Sequence, residues 1–247
     1  MTDLTREFPV IERARGFRLY GGGGRFVDLW QCGGAALMGH KPANVVRNMK
    51  NAAERGLFAP FPNPEAGRFT RVLGRLFPGR TFGVFSSQAD VPAYKKLPVW
   101  RPFCSKSSEL VLKGRAFRPV LPFPLAPAVV VNGKNCVKSF SGGFISPVIL
   151  AAAARAVYDM LARPERGTMR FNSIKRAFEL PETQKNWRLD GIYIYPARSV
   201  STVWPAVFRR FMAGGFLLPP CPDNPIILPD ELSKGEESAL AGLFCLS

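Results

Sequence analysis

The sequence predicts a mixed α/β fold in which strands and helices interleave along the chain. Three observations carry this. β-prone runs bounded by glycine occur near both ends, at residues 17–20 and 191–195. Apolar residues recur at helical spacing in several longer segments between them. Hydrophobic residues make up 47% of the 247 and charged residues 21%. Those proportions are globular and exclude wholesale disorder.

In chain order, residues 17–38 read as strand, tight turn and strand, with Gly21 to Gly24 supplying the turn. The glycines are not followed by a helix-opening pattern, so they do not make a nucleotide loop. Residues 43–56 read as a helix through Val45, Val46, Met49 and Ala53, with Gly56 beyond its end. Residues 64–77 form a second amphipathic helix, stopped by Pro78-Gly79. Residues 81–85 are short and β-prone. Ser86-Ser87 and Asp90 then supply helix-capping side chains. Six prolines between 98 and 127 forbid a continuous helix there. Residues 121–124 should be extended, and 128–131 form a buried strand before a turn at Asn132-Gly133. Ser146 as N-cap and Pro147 at the first position open the clearest helix, to about residue 162. A short helix at 171–179, a strand at 191–195, a helix at 205–212 and a strand at 216–218 follow. A last helix starts at Ser233, whose partner Glu236 completes a capping box.

The formal net charge is +16. Residues 66–140 hold 13 Lys and Arg against 2 Asp and Glu, and residues 221–247 hold 1 against 5. Such a bias suits a solvated basic face, an anion site or an acidic partner. Nucleic acid is a weaker expectation, because no recognised nucleic-acid motif is present. Five scattered cysteines without a CxxC pair argue against a disulfide framework or a zinc site, and for a reducing compartment, the cytoplasm. His40 is the only histidine, which excludes multi-histidine metal sites. No stretch nears the roughly 20 apolar residues of a membrane span, and the charged first fifteen residues show no secretory h-region.

Several collinear segments carry a resemblance. At the start they are Phe8-Pro9-Val10-Ile11-Glu12-Arg13-Ala14-Arg15-Gly16, then Leu19-Tyr20, Arg25-Phe26-Val27-Asp28-Leu29, and the Gly-His run from Gly33 to Pro42. Towards the end they are Ser139-Phe140-Ser141-Gly142-Gly143 with Pro147, then Phe208 to Phe211, Gly214 to Pro222, Ile226-Ile227-Leu228 and Leu232 to Glu237. Together they resemble class III aminotransferases, pyridoxal-phosphate enzymes of fold type I that include glutamate-1-semialdehyde aminomutase. Gly21 to Gly24 stand where that family has an acidic turn.

The resemblance implies a reduced fold-type I protein. Residues 1–65 and 141–247 would build a small α+β domain, and residues 66–140 a shortened, basic remnant of the large domain. It implies pyridoxal phosphate as cofactor and self-association; a second expectation is docking on an aminotransferase-like or other acidic protein. Ser86, Ser87 and Gln88 fall in a run similar to the family's phosphate loop, and Lys134 follows a strand as the family's Schiff-base lysine does, with Lys138 a second candidate. Tyr94 or Trp100 could stack on the ring. The acid that holds the pyridine nitrogen protonated has no counterpart, since residues 91–130 contain one acid, Glu109. The expected function is therefore a degenerate aminotransferase-like protein, without transaminase activity, that binds a partner. The alternatives are an aminotransferase or aminomutase using Lys134, and a basic anion- or nucleic-acid-binding protein.

Overall fold

The computed structural model describes residues 4–59, 61–91, 93–133, 141–163 and 170–246. The chain divides into two compact units, Met1–Gly34 with Arg166–Ser247, and Ala35–Glu165. The fold is mixed α/β, as the sequence predicts.

The first unit opens with three antiparallel strands, β1 (Ile11–Arg15), β2 (Arg18–Gly21) and β3 (Gly24–Asp28). Gly22 and Gly23, at φ +59° and +74°, make the β2–β3 turn, where a side chain would be strained. Gly21 has a different task. A Cβ placed there would lie 1.9 Å from the Val10 carbonyl oxygen, so only glycine lets the irregular start of β1 close on β2. Gly21→Ala is therefore expected to cost about 1–3 kcal/mol as an overpacked backbone contact. A urea-unfolding midpoint equal to that of the parent would refute this.

The second unit begins with α1 (Ala43–Glu54) and α2 (Pro64–Leu76). It continues through β4 (Phe82–Phe85), β5 (Val99–Trp100), α3 (Ser105–Leu112), β6 (Arg118–Pro119), β7 (Ala128–Val131), β8 (Ser141–Gly142) and α4 (Pro147–Leu161). β4 lies between β7, which is antiparallel to it, and β8, which is parallel. β5 and β6 pair in parallel, and a bridge from Phe117 to Val131 joins them to β7. Both α1 and α2 pack on α4. Ala151 to Ala154 and Ala156 are buried, and these small side chains let neighbouring helices approach closely. Phe69, Val72 and Leu73 of α2 fill the same core, with Phe77 edge-on to Trp100 and Phe117.

The chain then returns to the first unit. It adds α5 (Asn172–Ala177), α6 (Pro181–Asn186), β9 (Trp187–Asp190), β10 (Tyr193–Pro196), α7 (Arg198–Thr202), α8 (Trp204–Ala213), β11 (Phe216–Leu217), β12 (Ile226–Ile227) and α9 (Lys234–Cys245). β11 joins β3 in parallel, so the two ends of the chain share one sheet. β9, β10 and β12 form another. Trp187, Trp204, Phe211 and Phe244 make an aromatic core with largely edge-to-face contacts. Glu236 caps α9 together with Ser233 and also grips Arg18 of β2 through both carboxylate oxygens, at 3.0 and 2.7 Å. That contact carries its carboxyl down to about 2, chiefly through the Arg18 hydrogen bonds.

Three sequence expectations need correction. The boundaries at 65/66 and 140/141 both fall within the second unit, because α1, α2 and α4 share a core. Ser146 makes no side-chain cap bond, although Pro147 does stand in the first turn of α4. As the prolines require, no continuous helix crosses 98–127, and the short α3 fits between Pro102 and Pro119. The helix expected after Ser87 is only the three-residue 3-10 turn Gln88–Asp90.

Candidate functional site

The second unit holds a cavity of about 440 Å³ beside β4. Its first wall is the N-terminal half of α2. The Asn63 Oδ1 accepts from the backbone N–H groups of Glu65 and Ala66, at 3.1 and 3.3 Å, and Pro64 presets the first turn. That cap sets Ala66, Phe69 and Thr70 towards the hollow. Two arginines, Arg55 and Arg68, hold the buried Glu65 at 2.8 and 2.9 Å just behind the wall. The strand β4 makes the floor. Its alternation turns Phe82 and Val84 to the cavity, while Phe85 packs with Val91, Tyr94 and Ala128. Gly143, Phe144 and Ile145, ahead of α4, complete the rim with Leu150.

The turn after β4 adjoins this hollow, and it is where the sequence places a phosphate loop. Ser86 and Ser87 do come together there. The Asp90 carboxylate accepts from the Ser86 hydroxyl at 2.6 Å and from the Ser87 backbone N–H at 2.9 Å. Ser87 Oγ in turn accepts from the Ala89 N–H at 3.1 Å. An internal anion thus occupies two donors that a phosphate would need. Gly143 sits over the turn at φ +72°, and a Cβ on it would lie 2.6 Å from Ser86 Oγ. Gln88 opens the 3-10 turn and is exposed.

Lys134 and Lys138 lie outside the described residues. Among the described residues every lysine is exposed, and neither a lysine nor an acid lines the cavity. Tyr94 is buried, with the Arg118 guanidinium 5.0 Å from its ring centre, and burial pushes its phenol up against the opposing pull of Arg118. Trp100 is a core side chain packed on Phe77. His40 is half-buried in the turn before α1. Desolvation, and then the Asp28 carboxylate, hold the Cys32 thiol above its ordinary range, which disfavours thiolate chemistry there. Sequence reasoning missed the aromatic rim of Phe61 and Phe144. The signal was present as phenylalanines in loop positions, where a core role is not the default.

The sequence matches no protein-family profile. It is 25% identical over 284 aligned positions to an uncharacterized protein of Treponema pallidum (strain Nichols), over 92% of this chain and 91% of that one. Among solved structures it resembles N-acetylornithine aminotransferase of Stenotrophomonas maltophilia K279a at a TM-score of 0.67, with 14% identity, over 100% of this chain and 98% of that chain. The chain has the aminotransferase fold. A transaminase with PLP bound is similar at a TM-score of 0.64 with 10% identity, over 96% of this chain and 90% of that chain. No helix among the described residues is long and apolar enough to cross a membrane.

The aminotransferase fold raises the question of whether the described site suits pyridoxal phosphate. That cofactor needs an amine to bond its aldehyde, donors for its phosphate and an acid at its ring nitrogen. The cavity lining supplies neither amine nor acid, Lys134 and Lys138 lie outside the described residues, and Asp90 takes two of the nearby donors, the Ser86 hydroxyl and the Ser87 backbone amide. The described residues do not fit the group.

Proposed function

We propose that this chain is a shortened class III aminotransferase-like protein without transaminase activity, working as a binding protein in the cytoplasm. The observation that carries this reading is the character of the cavity. It is an apolar hollow with no described amine or carboxylate in its lining, on a fold whose solved relatives are aminotransferases. The Asp90 carboxylate on Ser86 and Ser87 supports it further. The likeness runs along nearly the whole of both chains, so the shortening is read as internal. Among the described residues no disulfide joins Cys32, Cys104, Cys221 or Cys245.

The test is an absorbance spectrum of the purified chain after incubation with pyridoxal phosphate, taken before and after borohydride. The expected result is the spectrum of free cofactor, with nothing retained on the protein after desalting. A retained visible band that borohydride bleaches, and that Lys134→Ala abolishes, would overturn the reading in favour of an enzyme.

A further inference from the structure

The hollow is open, and its mouth is aromatic. Phe61 is 73% exposed and Phe144 48% exposed, and both line it. Exposed phenylalanines at the rim of a concave apolar surface mark an interaction site. The polar side chains in its lining are Asn63 and Thr70, and both are committed to α2. Asn63 Oδ1 caps the helix and its Nδ2 donates to the Phe61 carbonyl, while Thr70 Oγ1 donates to the Ala66 carbonyl. A nucleobase edge carries several donors and acceptors that would go unmatched there. A hydrocarbon or phenyl side chain carries none.

Charge says what surrounds that side chain. The second unit carries 19 Lys and Arg against 6 Asp and Glu. Its own acids are mostly spent internally: Glu65 on Arg55 and Arg68, Glu109 on Lys113, Asp159 on Arg155, and Asp90 on the serine turn. Arg71, next to the cavity-lining Thr70, is exposed and makes no ion pair among the described residues. The cationic excess leaves exposed charge that an acidic partner would complement.

We propose that the hollow receives an apolar side chain from an acidic protein segment, whose flanking carboxylates meet Arg71 and the other exposed cations of α2. This rests on reading the chain as a binding protein, and it names the partner's chemistry. A second copy of the chain is a poor occupant, because it would bring the same positive charge to the contact.

The experiment is an anisotropy titration of the full chain against a fluorescein-labelled, glutamate-rich peptide with a central Leu-Phe pair. Binding is expected, weakening as salt rises. The Phe61→Ser, Phe144→Ser double variant and the Arg71→Glu variant should each bind roughly tenfold more weakly or worse. All three positions are exposed, so circular dichroism should be unchanged. The same peptide with Ser in place of Leu-Phe should lose affinity by roughly the same factor. Absence of binding overturns the proposal. So does binding indifferent to loss of the phenylalanines or of the Leu-Phe pair, which would be charge alone. An oligo-dT strand that binds more tightly than the peptide, and loses affinity in the Phe61→Ser, Phe144→Ser variant, also overturns it in favour of single-stranded nucleic acid. A bleachable cofactor band is a separate result: it would remove the non-catalytic reading and leave the peptide result to be judged on its own.

Discussion

Phe77→Ala is expected to cost about 3–5 kcal/mol, a large part of the margin by which a domain is stable. Phe77 follows α2 and is 1% exposed. Its ring meets Trp100 at 4.9 Å and 84°, and Phe117 at 5.2 Å and 74°. Removing it takes away the transfer free energy of a phenyl group and both edge contacts. It also leaves a void, because α2 and α4 hold the surrounding Val72, Leu73 and Phe69 in place. Urea unfolding should show a lowered midpoint with an unchanged slope. The exposed Phe58 is the control, and Phe58→Ala should shift stability by less than about 0.5 kcal/mol. Equal effects at the two positions would refute the packing argument.

Glu236→Gln should cost about 2–4 kcal/mol in the first unit. One carboxylate there serves three ends. It completes the α9 cap by accepting from the Ser233 N–H at 2.8 Å, pairs with Arg18 at 2.7 Å and reaches Arg25 at 3.2 Å. Glutamine can keep one hydrogen bond but leaves Arg25 without its carboxylate and Arg18 with only the more distant Glu231, at 3.6 Å. The pH dependence has a definite sign. The folded carboxyl is held down to about 2 against an ordinary 4.5, so its stabilisation is fully present above 4.5 and is lost as pH falls through about 2. Linkage limits this share to about 3 kcal/mol, and water around the partly exposed arginines brings it nearer 2. Unfolding midpoints measured from neutral pH downwards should fall in the parent over that window and stay flatter in the variant. Parallel curves would refute the assignment.

Legibility in the sequence followed the range of the forces involved. α2 was readable because Asn63, Pro64 and the stripe of Phe69, Val72 and Leu73 are all local signals. The α9 cap was readable for the same reason. α3 was not, because Cys104 makes no side-chain cap bond and its eight residues have no strong apolar stripe. Its ordering comes from tertiary contacts, as when Ser107 Oγ accepts from the Arg101 N–H at 2.7 Å. At the candidate site, Ser86, Ser87 and Asp90 were visible as capping residues. That the Asp90 side chain folds back to take both donors depends on backbone geometry. The hollow was unreadable, since Phe61 and Phe144 meet at its rim only after α2, β4 and α4 have packed.

The serine turn has a consequence for ligand competition. A carboxylate three residues from the amide it binds acts as a tethered competitor. Its effective concentration is on the order of millimolar or above. A free phosphate ester must outbid that tether before it gains the same two donors. Weakly held anions at micromolar levels therefore meet a turn whose two donors are already held by Asp90.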